Sequence, residues 1–97
     1  MPESFFDLAF DLLEEGDRLL LEVAVPGVLE TDIDITLEGI RLVIRAERPP
    51  APGVFLHREI QRGVLIRDIT LPCAVELLQS RFEDGVLQLR LRRLGAG

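Results

Sequence analysis

Ninety-seven residues with 47% hydrophobic content fit one domain with one core and leave no room for a second domain. A net charge of −6 argues against a nucleic-acid partner, because phosphate contacts need a basic face. No apolar run approaches the ~18 residues that a membrane span needs. All 11 basic residues are arginine, and lysine, asparagine, tryptophan and tyrosine are absent.

The chain opens with an arm, residues 1–9, carrying Phe5, Phe6 and Leu8. Phe5, Leu8 and Leu12 have helical spacing, which allows one helical turn. Glu3, Asp7 and Asp11 stand where a secretory signal would be positive, so the expectation is a cytoplasmic protein. The single cysteine, Cys73, excludes an internal disulfide and a cysteine-built metal site, which agrees with a reducing compartment.

From residue 10 the period falls to two. Leu19, Leu21, Val23 and Val25 alternate with Leu20, Glu22 and Ala24, and Pro26-Gly27 ends the strand. Ile33, Ile35 and Leu37 form one row, and Ile40, Leu42 and Ile44 form the next. Glu38-Gly39 reads as a two-residue hairpin turn with glycine supplying the positive φ. Pairing outward from it sets Leu37 opposite Ile40, Ile35 opposite Leu42, and Ile33 opposite Ile44. The same register sets Asp32 opposite Arg45, a pair worth about 0.2–1 kcal/mol, and Thr36 opposite Arg41.

Pro49-Pro50-Ala51-Pro52-Gly53 is a rigid loop that stops strand pairing. Val54 to Gln61 then reads as a strand, broken by Gly63. Leu65, Arg67, Ile69 and Leu71 make the next alternating row, ended by Pro72. Val75 to Gln79 fits one helical turn or a loop, and residues 80–83 a short strand. Asp84-Gly85 turns the chain into a last strand with Leu87, Leu89 and Leu91 on one face. Arg90, Arg92 and Arg93 would solvate that strand as an edge. About seven short strands with frequent turn signals predict an all-β, immunoglobulin-like sandwich of antiparallel strands over residues 10–93, with 94–97 as a tail.

Four motifs occur in an order that resembles the small heat-shock (Hsp20, α-crystallin domain) family. They are Val23-Ala24-Val25-Pro26-Gly27-Val28, then Leu42-Val43-Ile44-Arg45-Ala46-Glu47-Arg48, then the Arg58 to Pro72 segment, and Ser80 to Leu87 with its Gly85-Val86-Leu87 close. The resemblance implies an ATP-independent holdase that captures unfolding proteins, working as a homodimer or small homo-oligomer. It implies a client or tail groove whose strands carry Ile33, Ile35 and Leu37, and Leu65, Ile69 and Leu71. It places Arg67 at subunit contacts and makes Phe5, Phe6 and Leu8 an arm for clients or assembly. The family's closing I-x-I motif is missing from Leu91 to Gly97. The arm is shorter than most in the family, and five residues between Arg48 and Val54 replace its longer loop, which carries a strand exchanged between subunits. An adaptor of the same fold with one defined partner is the alternative expectation.

No catalytic set is visible. His57 reads as a plain strand histidine and Cys73 as a small loop or core filler. Asp32, Asp34 and Glu38 read as a solvated, salt-bridged face, because strand spacing does not converge their oxygens on a cation. Glu83-Asp84 is explained by turn chemistry. No glycine-rich phosphate loop precedes a helix and no nucleophile has a paired base, so neither a cofactor nor enzyme activity is expected.

Overall fold

A computed structural model describes residues 8–95, so Phe5 and Phe6 lie outside the described residues. Seven strands run in chain order: β1 (Phe10–Glu15), β2 (Arg18–Ala24), β3 (Ile33–Glu38), β4 (Arg41–Arg48), β5 (Gly63–Thr70), β6 (Val75–Glu83) and β7 (Val86–Arg93). They form two antiparallel sheets, ordered β1-β2-β7-β6 and β3-β4-β5. A short 3-10 turn, Glu30–Asp32, is the one helical element among the described residues. Leu12 therefore belongs to a strand, and the helical turn read from its spacing does not extend to it.

The rows with period two supply the core. In one sheet Leu19, Leu21 and Val23 of β2 lie opposite Leu91, Leu89 and Leu87 of β7. In the other, Leu42, Ile44 and Ala46 of β4 stand beside Leu65 and Ile69 of β5, and all join the same buried cluster. Alternation puts every second residue on one face of a strand, so each sheet has one apolar face to bury against the other.

The β3–β4 hairpin differs from its expected register. The turn residues are Gly39 and Ile40, with φ +63° at Gly39 and no positive φ at Ile40, which is the type II′ arrangement. Leu37 therefore pairs with Leu42, Ile35 with Ile44, and Ile33 with Ala46. The shift is two residues, an even number, so the aliphatic face survives and only its partners change. Opposite charges meet as Asp34 with Arg45 and Glu38 with Arg41, while Asp32 belongs to the 3-10 turn.

Residues 49–62 are a single connection without strand, so Val54 to Gln61 does not pair as its alternation suggested. The proline-rich start denies it a neighbouring strand within the chain, and Val54 and Leu56 are 90% and 99% exposed. Arginines hold the base of this loop. Arg48 Nε donates to Pro26 O at 2.8 Å and Arg48 Nη1 to Gln61 O, and Arg62 Nη1 donates to Pro49 O at 3.2 Å.

Residues 75–83 form one nine-residue strand rather than a helical turn followed by a short strand. A register irregularity between Leu77 and Gln79 breaks its alternation, which hid the strand from a period-two reading. β7 lies between β2 and β6, so its arginines do not protect an edge. Instead Arg92 pairs with Glu76 of the adjacent β6, and Arg93 with Glu14 of β1, beyond β2.

Candidate functional site

Two sheets of four and three strands leave four edges: β1 and β6 on one sheet, β3 and β5 on the other. On one side the sandwich is joined by Arg67 of β5, whose guanidinium carbon lies 4.8 Å from the centre of the Phe10 ring on β1. Arg67 stands opposite Ile44 in the row of inward-facing residues, which aims it at the other sheet. The opposite side of the sandwich therefore carries β3 and β6.

On β3, Ile33, Ile35 and Leu37 are half-buried and pack against the core from outside. They keep apolar surface at an edge with unpaired backbone groups, which is the template that an extended peptide adds to. On β6, the irregularity leaves Leu77 and Leu78 adjacent and both about two-fifths exposed (41% and 40%). Phe82, further along β6, is half-buried against the core. A side chain in this position has apolar area to lose to a partner and little further conformational freedom to give up.

The expected groove residues separate into two groups. Leu65, Ile69 and Leu71 are at most 3% exposed, sealed in the core. β4 lies between β3 and β5, so the β5 row does not face β3 across an open channel. Ile33, Ile35 and Leu37 hold the edge position. The edge beside them belongs to β6, and Leu77, Leu78 and Phe82 were missed because strand order between sheets leaves no trace in periodicity. Two adjacent leucines at a break in alternation were the available signal.

Leu8 is 4% exposed and belongs to the buried cluster. Its neighbour anchors the arm, since Ala24 N donates to Ala9 O at 2.9 Å. His57 lies in the exposed loop, with Nε2 2.6 Å from Glu59 Oε2. Cys73 is half-buried and accepts a contact from Arg93 Nη1 at 3.2 Å. Among the described residues no group of three or more His, Cys, Asp or Glu is placed to hold a metal ion.

The outer face of the three-stranded sheet is held by charge. Arg41 grips Asp68 through Nε at 3.1 Å and Nη2 at 2.8 Å, both donating to Oδ2. This fork holds the Asp68 carboxyl below its ordinary range, first by hydrogen bonding, and raises Arg41 for the same reason. Both groups are open to solvent, so the pair is structural and screened.

The sequence pattern of the Hsp20/alpha crystallin family matches residues 11–96. The "18 kDa antigen 1" of Mycobacterium avium is 32% identical over 88 residues, which cover 87% of this chain and 60% of that protein. "Small heat shock protein IbpB" of Klebsiella pneumoniae is 31% identical over 81 residues, covering 81% of this chain and 57% of that protein. The chain thus spans about 60% of the length of these relatives. Among solved structures, HSP18.5 from E. histolytica superposes with a TM-score of 0.81 at 18% identity, covering 95% of this chain and 92% of that one, a likeness of fold. The Del-C4 mutant of hsp14.1 from Sulfolobus solfatataricus P2 gives 0.78 at 25% identity, covering 91% and 76%.

Proposed function

The chain belongs to the Hsp20/alpha crystallin family, and from that premise we propose that it is an ATP-independent chaperone that holds unfolding polypeptides and prevents their aggregation. The observation that carries this reading is the side of the sandwich bounded by β3 and β6. There Ile33, Ile35 and Leu37 stand on one edge, and exposed Leu77 and Leu78 on the other. An unfolding protein offers extended backbone and apolar side chains, and both find a match at such edges. Binding needs no nucleotide, because the free energy comes from burying surface that both partners already expose.

In this reading the protein acts by binding rather than catalysis, in the cytoplasm, as a homodimer or small homo-oligomer. Assembly multiplies the edges offered to one client and so raises avidity without new contacts.

The test is light scattering from a heat-labile client with the chaperone at near-stoichiometric amounts, with and without ATP. Suppression independent of ATP is expected. Leu77→Asp combined with Leu78→Asp should lose suppression while keeping the β-sheet circular dichroism. Absence of suppression by the unaltered protein would sink the holdase reading and leave the single-partner adaptor.

A further inference from the structure

Beyond chaperone action, we infer that the cleft between the Pro26-Gly27 step and the 49–62 loop is a binding site for an acidic side chain of an extended peptide. The cleft holds about 480 Å³ and is lined by Pro26, Gly27, Arg48, Glu59, Ile60, Gln61 and Arg62. Two guanidinium groups therefore share one concavity in a chain whose net charge is −6. Between Arg48 and Arg62 the chain carries Arg48, Arg58 and Arg62 against the single carboxylate of Glu59, so this region is locally positive. Charge of that sign, focused by low-dielectric walls, favours an anion.

The guanidinium groups are already oriented. Arg48 is fixed by Pro26 O and Gln61 O, and Arg62 by Pro49 O. The Phe55 ring lies 6.0 Å from the Arg62 guanidinium carbon and 5.0 Å from that of Arg58, which steadies the far side of the loop. Preorganisation of this kind lowers the entropy lost on binding. Among the described residues no acceptor meets the buried Arg62 Nε. A buried donor left unmade is costly, and a carboxylate entering the cleft with a small shift of the loop would supply its acceptor. Glu59, the one like charge in the lining, has its carboxylate 2.6 Å from His57 Nε2. Ile60 and Pro26 give the remaining wall an apolar surface, which suits a hydrophobic residue next to the acidic one. The ligand class is thus a Leu-Glu type step in an extended chain rather than a free inorganic anion.

The experiment is an amide chemical-shift titration of the full chain with a capped pentapeptide containing Leu-Glu, its Leu-Gln counterpart, and inorganic phosphate. Saturable shifts confined to residues 27, 28, 48 and 59–62 are expected with the Leu-Glu peptide, weakening as salt is added. Arg62→Gln should weaken binding about tenfold, the scale of a lost charge-assisted hydrogen bond. Arg62→Lys should retain part of it, and its thermal midpoint serves as the check that the loop variant still folds. Equal shifts with the Leu-Gln peptide overturn the inference. So do shifts centred on Arg90, Arg92 and Arg93, or binding of phosphate without binding of the peptide. Client suppression is measured separately and does not depend on the outcome.

Discussion

Arg67 and Phe10 join the two sheets at one side of the sandwich, guanidinium over ring at 4.8 Å. β5 and β1 are both edge strands, so this contact closes a side that hydrogen bonding between strands cannot close. A cation over an aromatic face is worth more when partly shielded from water, and Arg67 and Phe10 are both half-buried. A double-mutant cycle with Arg67→Ala and Phe10→Leu should give a coupling of about 0.5–2 kcal/mol in urea unfolding. Each single change will cost more than the coupling, because each also removes packing. A coupling indistinguishable from zero would mean that the two side chains do not act together.

Turn glycines offer a second test, because two of them share a positive φ and differ in the space around a Cβ. Gly39 has φ +63° and open space where a Cβ would stand. Gly85 has φ +77°, and a Cβ there would come within 3.2 Å of the Pro26 Cα. Gly39→Ala should cost about 1–2 kcal/mol from the left-handed backbone alone. Gly85→Ala should cost about 1–3 kcal/mol more, from overpacking against the backbone at Pro26. Val25 N also donates to Gly85 O at 2.7 Å, so the strain would reach the end of β2. Equal midpoints for the two variants in urea would remove the steric part of this account.

The pairing of Arg41 and Asp68 gives a pH dependence whose sign follows from the lowered Asp68 carboxyl. A carboxylate depressed in the folded state stabilises the fold above its unfolded pKa, near 3.8, and loses that contribution as pH falls through the folded value. Stability should therefore fall more between pH 5 and pH 2 in the unaltered protein than in Asp68→Asn, to which the group no longer contributes (a window of about this width follows from the linkage relation). Side-chain carbonyl NMR should show Asp68 titrating low, and Arg41→Gln should return it towards the ordinary range. Added salt should shrink the difference, since both groups face water. An Asp68 titration unchanged by Arg41→Gln would refute the assignment.

How far the chain could be read in advance depended on what each feature needed. β2 and β7 were legible because Leu19, Leu21 and Val23, and Leu87, Leu89 and Leu91, repeat with strict period two. The hairpin face was legible for the same reason, while its partners hung on which side of Gly39 the turn falls. That choice depends on one backbone dihedral and has no compositional mark. β6 was obscured by the irregularity at Leu77 to Gln79, which breaks the period within the strand. Of the candidate site, Ile33, Ile35 and Leu37 were named by the family resemblance, and their strand lies at a sheet edge. Leu65 and Ile69 of β5, with Leu71 just beyond it, carry the same pattern yet are sealed in the core, although β5 is an edge strand as β3 is. Alternation reports that a strand has a buried face, and is silent about what the face is buried against.

The segment Val54 to Gln61 turns that distinction into a measurement. Its alternation matches that of a paired strand, whereas the structure leaves Leu56 99% exposed in a connection without strand. Leu21, opposite Leu89, is fully buried between the sheets. Leu21→Ala should cost about 2–5 kcal/mol, the range for removing a buried leucine side chain. Leu56→Ala should stay within about 0.5 kcal/mol, as for a surface site with no packing to lose. Urea unfolding of both variants, each at two protein concentrations, reads the difference directly. A cost at Leu56 approaching that at Leu21 would mean that the segment is packed in solution, and a cost that grows with protein concentration would place the packing between chains.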